Sequence, residues 1–126
     1  MTYPTDYRYT KDHEWIHVEG NRAKIGITDH AQAKLGDVVF VELPTAGTQL
    51  TAGDALGTVE SVKAVGDVFA PIAGVIVEVN DALEAAPDTV NKDPHGEGWI
   101  AVIEFTDAGQ LDGLMDAAAY EDFCNQ

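Results

Sequence analysis

The apolar positions of this chain repeat with the period of strands more often than with that of helices. Trp15, Ile16 and Val18 give His13 to Val18 a β-like run, Glu19-Gly20-Asn21-Arg22 marks a turn, and Ala23 to Ile27 returns as a second strand. Thr28-Asp29-His30-Ala31-Gln32 has the look of a helix start. Asp29 and Gln32 stand at capping-box spacing, and Gly36 stops the short helix after Leu35. Val38 to Leu43 is apolar except for Glu42 and predicts a buried strand ended by Pro44. Turn residues at 45–48 and 51–54 follow, then a hairpin centred on Lys63, within Gly57 to Pro71. Val75, Val77 and Val79 alternate with Ile76, Glu78 and Asn80 at the strand period. Residues 82–91 contain Pro87 and predict loop or a broken helical turn, 93–98 is loop by composition, and Trp99 to Phe105 is a last strand. Asp107 with Gln110 predicts the start of a final helix, on which Leu111, Leu114, Met115 and Ala118 form one stripe that packs on the sheet. The expectation is a mostly β fold with a short internal helix and a C-terminal helix, in one domain over residues 1–126. Gly36-Asp37-Val38 recurs as Gly66-Asp67-Val68, an echo that a quasi-symmetric pair of small sheets would produce.

Charge changes the picture more than composition does. With 22 acidic and 7 basic side chains the formal net charge is −15. Such a chain repels phosphates and anionic lipid, which argues against nucleic-acid and membrane partners. Self-repulsion favours a soluble monomer, and the field can steer the protein onto basic faces of partner proteins. Cys124 is the sole cysteine, so no intrachain disulfide forms. The first eight residues lack the basic start and apolar run of a secretory signal, and the expected location is cytoplasmic.

Two motifs bear on chemistry. His13-Glu14-Trp15-Ile16-His17 fits the zinc-protease pattern HExxH. That pattern needs a helix to bring its histidines to one ion. In the strand predicted here they stand about 13 Å apart at roughly 3.3 Å per residue, too far to share a ligand sphere of about 2.1 Å. No metal ligands and no catalytic residues are assigned: the chain has no GxSxG, no P-loop and no strand-linked GxGxxG, and Ser61 has no predictable base. Lys63 is the second signal. It stands at a hairpin tip, and no other basic residue lies between Lys34 and Lys92. A turn-tip lysine is ordinarily a solvated charge. A lone amine on a rigid acidic hairpin is also what covalent attachment of a prosthetic group needs, and both readings stay open on spacing alone. Val62-Lys63-Ala64-Val65 contains neither Gly nor Asn, so a type I turn is expected in place of the usual hairpin turns.

Glu60-Ser61-Val62-Lys63-Ala64 carries a family resemblance, with Val39-Phe40-Val41-Glu42-Leu43-Pro44 before it and Ala70-Pro71-Ile72-Ala73-Gly74 after. So do His13-Glu14-Trp15, Gly26 to Gln32, Val77 to Asn80, Val90-Asn91 and Gly96-Glu97-Gly98-Trp99. Over nearly the whole chain the sequence resembles the H protein of the glycine cleavage system. The resemblance implies a flattened β-barrel or sandwich of the biotinyl/lipoyl-carrier type and lipoate in amide linkage to Lys63. It implies a carrier, not an enzyme, whose arm receives an aminomethyl group at glycine decarboxylase. The arm then yields the one-carbon unit at aminomethyltransferase and is reoxidised by dihydrolipoyl dehydrogenase, and a lipoate-attaching enzyme is a further partner. Two acids of the family's arm cleft match Glu14 and Asp67. Asp12, Gly66, His95 and Val102 depart from residues common in the family. A biotin carrier is the neighbouring reading, but biotin acceptors usually flank the lysine with Met, where this chain has Val62 and Ala64. A third reading has the protein relay lipoyl groups to other enzymes.

Overall fold

The computed structural model describes residues 3–125. Strands β1 (Arg8–Tyr9), β2 (Glu14–Glu19), β3 (Arg22–Ile27), β5 (Gln49–Leu50), β8 (Gly74–Val79) and β9 (Ala101–Glu104) form a six-stranded antiparallel sheet in the order β1-β2-β3-β9-β8-β5. Strands β4 (Val38–Glu42), β6 (Ala55–Ser61) and β7 (Val65–Phe69) form a second, in the order β4-β6-β7. Ile16, Ile25, Ile76 and Ile103 from the large sheet pack with Val41, Val59 and Val68 from the small one in a single buried cluster, the arrangement of a sandwich. Gly57 sits where the small sheet is tightest: a Cβ there would run into the carbonyl oxygen of Glu42 on β4.

Four helical turns and segments decorate the sheets: α1 (Asp29–Leu35), α2 (Ala82–Ala85), α3 (Thr89–Lys92) and α4 (Ala117–Cys124), with a 3-10 helix at Ala108–Gly113 before the last. Pro87 lies between α2 and α3, as its missing N–H requires of a break. The cap of α1 is Thr28, not Asp29. Thr28 has extended backbone and its Oγ1 accepts from Ala31 N, while Asp29, one residue inside, accepts from Gln32 Nε2. Gly36 closes the helix at φ 84°, a left-handed backbone that suits glycine.

Three other expectations are corrected. The single C-terminal helix is two elements: Leu114 is extended, Met115 bridges to Tyr9, and Asp116 caps α4 afresh by accepting from Ala119 N. The anticipated stripe is therefore split. What α4 buries is Ala117 and Tyr120, against an aromatic cluster of Tyr3, Tyr9 and Trp15. Strand β4 is an edge strand and only half-buried, because a register shift between Val38 and Phe40 turns Val39 and Phe40 outward together. The Gly-Asp-Val echo does not mark paired sheets, since one copy leads into β4 and the other lies in β7 of the same sheet.

Glu14 ties the two sheets together. It lies on β2 and is 1% exposed; its Oε2 accepts from Phe69 N at the end of β7 (2.6 Å), and its Oε1 accepts from Thr10 Oγ1 (3.1 Å). Burial pushes its pKa from 4.5 up to about 7, with the Phe69 and Thr10 hydrogen bonds pulling the other way. The folded chain therefore holds this proton between about pH 4.5 and 7, where the unfolded chain has lost it. The stability that Glu14 contributes falls as pH rises through that window, while His13 and His95, whose pKa values burial lowers from 6.5, contribute the opposite slope. In Glu14→Gln, which keeps an acceptor and carries no charge, this decline should vanish. Urea unfolding at pH 4.5 and 7.5 should show the wild type losing roughly 1–3 kcal/mol relative to the variant, and parallel pH profiles would refute it. For Thr28→Ala, loss of the α1 cap and of a buried hydroxyl partner to Tyr120 Oη should cost about 1–2 kcal/mol, read as a lower urea midpoint with an unchanged slope.

Candidate functional site

Lys63 stands at the tip of the β6–β7 hairpin and is exposed. The turn is built by a side chain. Ser61 N donates to Ala64 O (2.8 Å), and Ser61 Oγ accepts from Ala64 N (3.0 Å) and donates to Ala64 O (3.1 Å). No residue from Ser61 to Ala64 has positive φ, so the turn needs neither Gly nor Asn; the serine hydroxyl braces it, and Ser61 has a structural use rather than a nucleophilic one. Among the described residues Lys63 makes no salt bridge.

The hairpin is anchored from below. Val62 N donates to Asp37 O (3.1 Å). The residues on either side of Asp37 are held by Asn91 on α3: its Oδ1 accepts from Val38 N (2.8 Å), and its Nδ2 donates to Gly36 O and to Gln32 Oε1 (2.9 Å each). Gly36 also gives the lysine stem its path, since a Cβ there would stand 3.2 Å from Lys63 Cε.

Beside the hairpin is a cavity of about 190 Å³ with a mostly aliphatic wall, including Ile27, Leu35, Val59 and Val68, and a polar rim that includes Asp12 and Asp67. Asp67 is exposed on β7, opposite Thr58 of β6. Gly66 lies on the wall, 3.3 Å from Leu35 Cδ2 at the place a Cβ would take. The structure brings Lys63 and Asp67 together on one hairpin. It places Glu14 elsewhere: its carboxylate is turned inward onto Phe69 N and Thr10, and the residue does not line this cavity.

Val62 and Val65, which flank the lysine, are 71% and 63% exposed, and Val39 and Phe40 are exposed on neighbouring β4. This apolar rim was half legible. Val62 and Val65 follow from the turn, whereas the outward pair on β4 depends on a bulge that alternation cannot foretell.

The HExxH histidines part company. His13 turns towards α4, where its Nδ1 lies 2.7 Å from Tyr120 Oη. His17 lies 3.4 Å from an Asp6 carboxylate oxygen and stacks on Tyr7. The expected strand holds only His17: His13 precedes β2 with a φ of 65°, and this turn, not the strand rise, sends its ring the other way. His95 Nε2 accepts from Asp29 N at the start of α1, and the Tyr7 hydroxyl donates to His95 O. No helix of the described residues is long and apolar enough to cross a membrane.

A family model described as Glycine cleavage H-protein matches residues 7–126. The glycine cleavage system H protein of Phenylobacterium zucineum is 57% identical over 116 residues, which cover 92% of this chain and 96% of that one. The protein of the same name from Thermotoga maritima is 50% identical over 119 residues, covering 94% and 96%. The crystal structure of a glycine cleavage system H protein from Mycobacterium marinum superposes with a TM-score of 0.89 at 40% identity, covering 98% of this chain and all of the other. The β-sandwich, the presented lysine and these relatives agree: the chain belongs to the glycine cleavage H-protein family and is a carrier component of glycine cleavage rather than a catalyst.

Proposed function

We infer that Lys63 carries lipoate in amide linkage and that the arm serves glycine decarboxylase, aminomethyltransferase and dihydrolipoyl dehydrogenase in turn. The supporting observation is an exposed amine, without a salt bridge among the described residues, on a turn locked by Ser61 and by the Val62–Asp37 hydrogen bond. A ligase can reach such an amine without breaking an ion pair. The residues beside the hairpin also fit the group. Apolar walls of Leu35, Val59 and Val68 suit the aliphatic and sulfur portions of an arm, and the two carboxylates of the lining, Asp12 and Asp67, outnumber its one lysine, Lys34, and suit a cationic amine carried on it. When bound, the lipoyl group supplies a disulfide that accepts the aminomethyl unit and is left reduced once that unit is passed on.

Each residue then has a part in handling the group. Lys63 tethers it and loses its own charge in doing so. Gly36 leaves the stem room, and Gly66 keeps the cavity open towards Leu35. Glu14, buried on Phe69 N, acts on the arm through the hairpin it secures rather than by touching it. The tether raises the local concentration at any docked partner to the millimolar range, roughly, for a short flexible linker. The chain's charge of −15 favours docking onto basic faces. The same acidity fits a monomeric carrier.

Intact-mass measurement after incubation with a lipoate ligase, ATP and lipoate should show one lipoyl addition. Lys63→Arg should abolish it and with it reconstituted glycine decarboxylation. Addition at another lysine would overturn the site. Asn91→Ala leaves Val38 N and Gly36 O without their partner, at a cost of about 1–3 kcal/mol. Hydrogen exchange at Val38 and Val62 should quicken and lipoylation should slow severalfold, although Lys63 is intact. Unchanged exchange at Val62 would show that Asn91 does not hold the hairpin.

A further inference from the structure

Far in sequence from one another, His13, His30 and Cys124 converge at one place. One donor atom from each lies within 4.8 Å of the others, and all three residues are partly buried. They come from three separate elements: the turn before β2, the first turn of α1 and the last turn of α4. The imidazoles of His13 and His30 are 4.5 Å apart between ring centres. We propose that these three side chains form a binding site for a first-row transition cation of the zinc type, which takes His13 from the HExxH pattern without His17 and lies apart from Lys63.

The donor set is the first argument. Two imidazoles and a thiolate are borderline-to-soft ligands, which select zinc or copper over magnesium or calcium. Tetrahedral ligation at about 2.0–2.1 Å to nitrogen and about 2.3 Å to sulfur puts donors roughly 3.3–3.6 Å apart. From the 4.8 Å within which the donors lie, no separation has to close by more than roughly 1.5 Å. Cys124 is the last residue of α4, and a small adjustment of its side chain at that helix end supplies the movement. On binding, the thiol proton leaves to solvent and the sulfur ligates as thiolate.

Second, the surroundings resemble the outer sphere of a metal site. His13 Nδ1 is engaged by Tyr120 Oη (2.7 Å), and Tyr120 Oη is held in turn by Thr28 Oγ1 (2.7 Å). That chain fixes the ring plane and leaves Nε2 without a hydrogen-bond partner among the described residues, the usual arrangement for a ligating histidine. A cavity of about 410 Å³ opens beside His30 and Cys124 and includes Asp29 and Glu121 in its wall. It leaves space for a fourth ligand, water or carboxylate, and its acids favour a cation. Occupancy would pin the end of α4 to α1 and to the turn before β2. His13 also lines the cavity beside Asp67, so the ion would stiffen one wall of that cavity.

The test uses the full-length chain without lipoate, reduced and stripped with a chelator, titrated with Co²⁺ and then with Zn²⁺ in competition. One Co²⁺ per chain should bind with a thiolate-to-cobalt charge-transfer band, and Zn²⁺ should displace it. Cys124→Ala should abolish the band. His30→Gln, and His13→Asn (which tolerates the φ of 65° at that position), should each weaken binding at least about tenfold. His17→Gln should leave binding unchanged. Variants are matched to the parent by far-ultraviolet circular dichroism. Cys124→Ala, at a partly exposed helix end, carries the test if a histidine variant fails to fold. The absence of a saturable one-equivalent site overturns the proposal, as does binding that lacks the band and survives Cys124→Ala.

Discussion

Asn91 spends its whole carboxamide on the stretch Gln32 to Val38, and that stretch decides where Lys63 points. Its oxygen takes Val38 N, and its nitrogen reaches Gly36 O and Gln32 Oε1. Asp37, fixed between those contacts, offers its carbonyl to Val62 N beside the lysine. A two-strand hairpin is marginal alone, and its tip would otherwise wander. Here α1, α3 and β4 become a common base, and the lysine side chain extends from a backbone held by hydrogen bonds. Glu14 does the same from the opposite end of the hairpin by capturing Phe69 N. One carboxamide and one buried carboxylate thus brace the hairpin at its two ends, and each links elements distant in sequence.

Much of this was legible beforehand, and the parts that were not share a cause. The lysine hairpin, the α1 stop at Gly36 and the break at Pro87 all follow from local backbone chemistry, which sequence carries directly, whereas the HExxH histidines part at a turn on His13 where the pattern predicted strand. The outward turn of Val39 and Phe40 depends on a bulge set by pairing with β6. The C-terminal stripe at helical spacing failed because Met115 found a strand partner in Tyr9, a tertiary contact that outweighs periodicity. The roles of Asn91 and Glu14 in the brace depend on partners more than fifty residues away; Asn91 stood out in the sequence only through resemblance, and Glu14 through resemblance and a motif, HExxH, that points to another role. Near the hairpin, Asp67 reaches the rim of the cavity as a strand position suggests, while burial of Glu14 reverses the solvent-facing role an acid would ordinarily have.

A carrier has to be caught and let go, and the surface divides those tasks. Net charge acts over distance, but at physiological salt it is screened within about 8 Å, so it steers approach more than it holds a complex. Around Lys63 the contact surface is small and apolar, formed by Val62 and Val65 with Val39 and Phe40 nearby. Covering four such side chains adds at most about 6–12 kcal/mol, at about 1.5–3 kcal/mol each, which is of the same order as the freedom lost on association, about 4–15 kcal/mol. On the proposed function, such a tip would seat at a partner without staying there. Val62 sits at the junction of both requirements, since its side chain belongs to the apolar rim and its N–H to the Asp37 anchor. Rigid backbone beneath and weak adhesion above are therefore properties of the same two-residue tip.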